Sequence, residues 1–382
     1  MFKWLRSILT RVRIKLHSRV VRPQVPDAYS ADLQLAAAKH LRWMIDHVET
    51  EGSELVVRGW YLSFTQDPAD IRFLLNGKPF TFVEWPLPSE DLAGLYGYIP
   101  GATRARFVCR QPIANPQDIY PDGYAGFSAV SRFGEHPRSY LACWYYPDPS
   151  TALPLPDGAR MERVVNSEDQ QQFLLGGATI AKRLDMLLRE RFGRPLTSFS
   201  SILDWGCGSG RITRHLIRMG CPAIIGADVD PDNIQWCREH LSGAGFQHLS
   251  LRPPTPFEDA RFDLAIGISV MTHLTEADQF LWLAELQRLT KRDALLLLSV
   301  SGPVHWSLNK LPSERYVSLQ REGFVDLGRN PDLHAVVNNR TFYRNVQHSR
   351  DYIFANWSRY FDVLDIVDAI ATHHDLVLLR RR

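Results

Sequence analysis

The chain has 382 residues, 45% of them hydrophobic and 23% charged, with a net charge of +2. Its length exceeds that of a usual single core and predicts two domains, and it contains no run of about twenty apolar residues of the kind that crosses a bilayer as a helix. Five cysteines (Cys109, Cys143, Cys207, Cys221 and Cys237), odd in number and without a C-x-x-C pair, suggest neither a disulfide framework nor a metal site and fit free thiols in a reducing cytoplasm.

The charge is unevenly spread. Residues 1–22 hold Lys3, Arg6, Arg11, Arg13, Lys15, Arg19 and Arg22 and no acid, so the other 360 residues sum to −5. A mildly acidic body argues against a nucleic-acid substrate held on a basic surface. In the same segment Phe2, Leu5, Leu9, Val12 and Leu16 recur at steps of three and four, which predicts a basic amphipathic helix. Such a helix either lies on an anionic membrane surface, placing a cytoplasmic protein peripherally at the inner membrane, or packs on the protein or stays unstructured. A second helix is expected over about 31–47.

The periodicity then changes. Runs beginning at Glu54, Ile71, Pro79, Arg104, Tyr124 and Ser139 are short and rich in aromatic and β-branched residues, and Asn76-Gly77 is a hairpin signal. They predict a small antiparallel β-sandwich over 48–146. Its aromatics, Trp60, Tyr61, Trp85, Tyr96, Tyr98, Trp144, Tyr145 and Tyr146, either fill its core or stack on sugar rings. Pro147, Pro149, Pro154 and Pro156 with Asp157-Gly158 mark a linker over 147–164.

Beyond a helical stretch ending at Gly193, the run Ser201-Ile-Leu-Asp-Trp-Gly-Cys-Gly-Ser-Gly-Arg211 reads as a buried strand end, a glycine turn and the start of a helix. A dinucleotide fingerprint would place its third glycine at position 211, which is arginine. From there strands and helices alternate to the end, predicting an α/β fold with a doubly wound, mostly parallel, seven-stranded sheet whose ligand sits at the carboxyl ends of its strands. Asp228 closes the second strand and can accept from both ribose hydroxyls of a nucleoside. Asp230 competes for that role, or either acid caps the next helix.

Asp204 with Gly206-x-Gly208-x-Gly210 resembles the first motif of class I S-adenosylmethionine-dependent methyltransferases. Asp228, the run Pro256-Phe-Glu-Asp-Ala-Arg-Phe-Asp through Met271-Thr-His-Leu274, and the segment from Leu281 through the fifth strand continue the resemblance, which covers about 165–382. It implies S-adenosyl-L-methionine as cofactor, held by Asp204, Gly206, Cys207, Gly208, Gly210, Asp228 and Ser269. His273 is either a base that takes the proton of a hydroxyl acceptor or a packed or capping residue. Two departures are visible. No acid follows the third strand to meet the adenine amino group, which leaves backbone, Thr255, Glu258 or Asp259, and Lys291-Arg-Asp-Ala replaces the family's glycine-rich turn.

The insert Gly302 to Trp357, with His305, Trp306, Tyr316, His334, Asn338, Tyr343 and His348, is expected to cover the acceptor. His348-Ser-Arg-Asp-Tyr-Ile near its end and the segment from His374 resemble the closing segments of methyltransferases associated with polysaccharide and glycan biosynthesis. The resemblance therefore implies O-methylation of a sugar or glycan intermediate. The alternatives are a methyltransferase on a small metabolite or lipid, or a non-catalytic scaffold of a glycan-assembly complex.

Overall fold

The computed structural model describes residues 43–63, 71–97, 99, 101–131, 143–308, 311–333, 336, 339 and 341–382. The expected basic helix over 1–22 and most of the helix expected over 31–47 lie outside them. The end of the latter is corrected: Trp43 to His47 belong to a strand, β1 (Trp43–Glu51), not a helix. Trp43, Ile45 and Val48 are buried there, and the strand pairs with β2 (Glu54–Tyr61), with Val48 opposite Val57. Pairing with a partner strand outweighs the helical spacing that the isolated segment displays.

The chain continues through β3 (Ile71–Leu75), β4 (Lys78–Pro79), β5 (Phe82–Leu87), β6 (Arg106–Pro112), β7 (Tyr124–Ser131) and β8 (Cys143–Pro147). These form two four-stranded antiparallel sheets, in the orders β1-β2-β6-β5 and β4-β3-β7-β8. Asn76 and Gly77 join β3 to β4 with φ of 50° and 79°, both left-handed, which a two-residue hairpin turn with matching twist requires. Trp60, Tyr61, Tyr96, Trp144 and Tyr146 are buried, and Tyr61, Phe73, Phe107, Phe127 and Trp144 share one core. The aromatics named in the sequence thus mainly fill the interior, apart from the half-buried Trp85 and Tyr145. Tyr98 lies outside the described residues.

The stretch expected as a linker holds a helix, Gly158–Val165, N-capped by the Asp157 carboxylate. After it, the helix Gln170–Phe192 begins at Asp169, whose side chain accepts from the N–H groups of Gln171 and Gln172, and ends at Gly193 (φ 65°). Leu174 and Leu175 of this helix pack into the sandwich core, whereas Ile180, Leu184, Leu187 and Leu188 pack under the second sheet.

That sheet is built from β9 (Ile202–Trp205), β10 (Ile224–Asp228), β11 (Gly245–His248), β12 (Phe262–Gly267) and β13 (Thr290–Val300). After a separate ribbon of β14 (Phe324–Arg329) and β15 (Arg344–His348), it is completed by β16 (Asp362–Ala371) and β17 (His374–Arg380). The order is β11-β10-β9-β12-β13-β17-β16, with β17 antiparallel to both neighbours and the other pairs parallel. Leu203, Ala265 and Leu296 feed the core on one face, and Ile202, Leu264 and Leu297 the core on the other, the alternation that a sheet covered on both sides demands. The order reverses at β9, so the ends of β9, β10 and β12 open a crevice at the carboxyl edge.

Candidate functional site

β9 ends at Trp205 and the chain turns through Gly206, Gly208 and Gly210, with φ of 75°, 52° and 77°. Only glycine takes three such left-handed positions in five residues without strain. Space tightens the requirement: a Cβ on Gly206 would lie 2.2 Å from Val270 Cγ2, on Gly208 2.7 Å from Val164 Cγ2 and on Gly210 2.4 Å from Leu241 Cδ1. The glycines therefore serve backbone conformation and packing against protein side chains, rather than the approach of a ligand alone. The following helix starts at Thr213, two residues later than expected, and leaves Arg211 in the turn at the cleft wall.

The acids flanking this turn have distinct surroundings. Asp204, at the buried end of β9, accepts from the Thr213 hydroxyl at 2.5 Å, and burial pushes its carboxyl up to about 6. Asp228, at the end of the neighbouring β10, accepts from Gly208 N–H at 2.8 Å through Oδ2 and from Asp230 N–H at 2.8 Å through Oδ1. Burial raises this carboxyl too, to about 6. Asp230 caps the helix Pro231–His240 by accepting from Asp232 and Asn233 N–H, and it pairs with Arg163 at 3.0 Å. Its oxygens are thus committed to structure. Asp228 retains acceptor capacity on both oxygens, because a carboxylate offers about four lone-pair sites.

At the exit of β12, Ser269 sits at φ 62°, with its N–H donated to Ser299 Oγ at 2.7 Å and its hydroxyl 3.3 Å from His374 Nδ1. His273 follows in a short 3-10 turn. Its Nδ1 lies 2.8 Å from the Arg344 carbonyl, which can only accept, so Nδ1 carries the proton and Nε2 keeps the lone pair. Its ring stacks on Tyr343 at 4.2 Å, and burial pushes the imidazole down to about 4. Gln279 holds this exit loop in place, donating to the carbonyls of Met271 and Leu274 while its Oε1 meets His348 Nε2 at 2.9 Å.

Asp204, Gly206, Cys207, Gly208, Asp228 and Ser269 line one cleft. Gly210 stands behind it against Leu241 and Cys237, and His273 behind Tyr343, which itself faces the cleft. Residues not expected from sequence complete the lining. Arg163 and Val164 come from the helix in the linker stretch, Val229 and Leu249 from the edge beyond β10, Leu274 and Trp282 from the region after β12, and Leu333 and Phe342 from the insert.

The adenine-side candidates Thr255 and Asp259 are occupied elsewhere, in a network with Glu285 and Arg288, and with Glu258 they stand apart from the cleft. The polar signal was there in the sequence, but its partners lie on the helix Glu276–Leu289. In the insert, Trp306 packs with Leu311, Leu319 and Tyr316 into a small core of its own, and His348 is buried among Phe324, Tyr352 and Trp357. His334 and Asn338 lie outside the described residues.

Residues 202–293 match the family model described as "Methyltransferase domain". Curated relatives include the ubiquinone biosynthesis O-methyltransferase of Sinorhizobium fredii, 28% identical over 140 residues that cover 31% of this chain and 55% of that protein. Another is the O-antigen chain terminator bifunctional methyltransferase/kinase WbdD of Escherichia coli, 28% identical over 172 residues, 40% of this chain and 23% of that one. The chain spans about half the length of the ubiquinone biosynthesis relative from Sinorhizobium fredii. Among solved structures, the magnesium protoporphyrin IX methyltransferase of Synechocystis overlaps 58% of this chain and 93% of its own at 16% identity, with a TM-score of 0.39. The match makes residues 202–293 a methyltransferase domain, an enzyme module built on the strands whose ends open the cleft.

Proposed function

We propose that the whole protein is an S-adenosylmethionine-dependent methyltransferase acting on a hydroxyl of a sugar or glycan intermediate. The observation that carries the reading is Asp228, a buried carboxylate at a strand end, hydrogen-bonded to Gly208 N–H at 2.8 Å and so fixed across the mouth of the glycine turn. The residues present fit the cofactor: an acid placed for ribose hydroxyls, a turn without Cβ atoms for the amino-acid end, and an apolar wall of Val229, Leu249, Leu274 and Trp282 for the base. Asp204, Gly206, Cys207, Gly208 and Ser269 would complete that contact, with Gly210 shaping the turn from behind.

When bound, the cofactor supplies a methyl group already activated on a sulfonium. What remains for this chain is to align the acceptor, exclude water and remove the acceptor proton. Phe342, Tyr343 and Leu333 of the insert line the cleft and in this reading would meet the acceptor. His273 is the candidate base, its Nε2 left with a lone pair by the hydrogen bond at Nδ1, and Tyr343, which stands between it and the cleft, would have to turn aside for that role.

The relative named as an O-antigen chain terminator favours a glycan acceptor. The ubiquinone biosynthesis relatives favour the second reading, a hydroxyl on a small metabolite or lipid. Release of S-adenosylhomocysteine with a panel of nucleotide sugars, glycans and hydroxylated aromatic lipids separates the two. No release with any hydroxyl acceptor, despite cofactor binding, would leave the scaffold alternative. We further assign the sandwich over 48–146 to acceptor or partner binding beside the methyltransferase domain over 165–382, and the basic segment 1–22 to peripheral contact with an anionic membrane. Deleting residues 1–22 should move the protein from the membrane to the soluble fraction, and unchanged membrane recovery refutes that contact.

A further inference from the structure

Among the described residues, three histidines from distant parts of the chain converge beside the cleft. His305 lies on the helix Pro303–Leu308 that follows β13, and His373 and His374 lie where β16 turns into β17. Their ring centroids are 5.3 Å (His305–His373), 4.8 Å (His305–His374) and 4.4 Å (His373–His374) apart. One nitrogen from each can be chosen so that all three lie within 4.8 Å of one another. The sequence suggested no metal site because its cysteines lacked pairing, and this group contains none.

We propose that His305, His373 and His374 form a binding site for a divalent transition metal of the Zn²⁺ type, with an open position facing the acceptor side of the cleft. Three imidazoles with the fourth position open is a ligand set that zinc accepts in catalytic sites, at Zn–N distances of about 2.0–2.1 Å. Tetrahedral geometry at those distances puts the nitrogens about 3.4 Å apart, so nitrogens separated by the full 4.8 Å need to close by about 1.4 Å, which imidazole rotation supplies. Imidazole ligands suit Zn²⁺, Cu²⁺, Ni²⁺ and Fe²⁺, whereas Mg²⁺ and Ca²⁺ demand oxygen.

Two independent features point the same way. The Nδ1 of His374 lies 3.3 Å from Ser269 Oγ, and that of His373 lies 3.3 Å from Thr372 Oγ1. A partner on one ring nitrogen fixes the orientation of the imidazole, as the outer shell of metal sites commonly does. The backbone around the cluster is also held in unusual conformations: Ser269 (φ 62°), Ala369 (φ 48°) and Thr372 (φ 63°) are non-glycine residues in the left-handed region. Such positions cost energy and gather where a structure holds functional groups in place. Arg211 acts electrostatically on His373 and His374 and opposes a cation, so the affinity should fall below that of a closed four-ligand site.

The consequence for the reaction rests on the methyltransferase reading. Ser269 both lines the cleft and contacts His374, so a metal there would adjoin the acceptor and lower the pKa of a hydroxyl in its open position. The acceptor oxygen would then form its bond to the methyl carbon as the sulfonium S–C bond breaks, the electron pair staying on sulfur and the hydroxyl proton passing to the general base of the proposed function.

The test uses the full chain, freed of metal with a chelator and titrated with Co²⁺ and Zn²⁺. Calorimetry should give one metal per chain, and Co²⁺ should develop the visible absorption of a tetrahedral nitrogen site. In His305→Ala, His305→Phe (which keeps a packed ring) and His374→Ala, metal affinity should fall at least tenfold while thermal unfolding shows a folded protein. Binding of S-adenosylhomocysteine is measured in parallel. Intact cofactor binding with no stoichiometric metal, or with metal binding unchanged in His305→Phe, overturns the metal site and leaves the methyltransferase reading standing. Metal binding that depends on these histidines, in a protein that binds no cofactor, supports the site and overturns the other reading.

Discussion

Replacing Gly206 by alanine separates the two reasons a glycine stands there. The first is conformational: φ of 75° puts an L-residue in the left-handed region, at a cost of about 1–2 kcal/mol. The second is steric. The new Cβ would lie 2.2 Å from Val270 Cγ2, and Val270 is β-branched and stiff at χ1, so the overlap adds about 1–3 kcal/mol. Gly206→Ala should therefore destabilise by about 2–5 kcal/mol. Gly220 is the internal control. Its φ is 79°, but nothing stands within 4 Å of its Cβ position, so Gly220→Ala should cost only the conformational part, about 1–2 kcal/mol. Val270→Ala added to Gly206→Ala should restore the steric part, giving a coupling of about 1–3 kcal/mol in a double-mutant cycle. Urea unfolding followed by tryptophan fluorescence measures all four variants. A Gly206→Ala cost no larger than that of Gly220→Ala, or a cycle with no coupling, refutes the reasoning.

Asp228→Asn should weaken cofactor binding by about 1.5–3 kcal/mol, the worth of hydrogen bonds to a charged acceptor, as read by calorimetry, and unchanged affinity would remove Asp228 from the site. Its folded carboxyl is raised to about 6, so its contribution to stability is full below the unfolded value and is lost as pH rises through about 6. Cofactor binding needs the ionised form and should run the other way, weakening about tenfold per pH unit below 6 in the native protein and much less steeply in Asp228→Asn. His273→Gln should lower kcat by about 10²–10⁴-fold, with cofactor affinity unchanged, if its Nε2 takes the acceptor proton, and a loss of stability alone identifies a packing role. Tyr124→Phe removes the 3.1 Å contact between its hydroxyl and the buried His215 Nδ1, and thermal unfolding should show a loss of about 1–3 kcal/mol.

Legibility in the sequence followed the range of the interaction. The Asn76-Gly77 hairpin, the helix stop at Gly193 and the glycine turn after β9 depend on backbone conformations set within a few residues, and each is found where the local pattern places it. The start of the strand Trp43–Glu51, up to His47, carries helical spacing in the sequence because its strand identity comes from β2, with which it pairs. The cleft divides in the same way. Asp204, Gly206, Gly208 and Asp228 form a local motif on two adjacent strands. Phe342, Val164 and the histidines beside Ser269 arrive through tertiary contacts across more than 30 residues of sequence, which no spacing rule reports. Thr255 and Asp259 show the converse: polar residues near a motif are candidates only until the partner that claims them, here Arg288, is known.

The helix Gln170–Phe192 changes what the boundary between sandwich and sheet means. A linker would let the two move independently, yet this helix gives Leu174 and Leu175 to the sandwich core and Leu184, Leu187 and Leu188 to the sheet core. Polar contacts reinforce the junction. Gln171 Oε1 accepts from Val48 N–H at 2.8 Å, Thr179 Oγ1 from Tyr145 N–H at 3.0 Å, and the Arg183 guanidinium donates to the Cys143 carbonyl. Arg218, on the helix after the glycine turn, donates to the carbonyls of Gly123, Asp148 and Thr151. Burial lowers the Arg183 guanidinium to about 10, so its charge is held inside largely by those carbonyl contacts and by the face of Trp144. Separating the sandwich from the sheet would expose two leucines and strand that charge. The sandwich is therefore fixed against the element that leads into the glycine turn, and a ligand bound on it would meet the cleft at a set distance instead of on a tether.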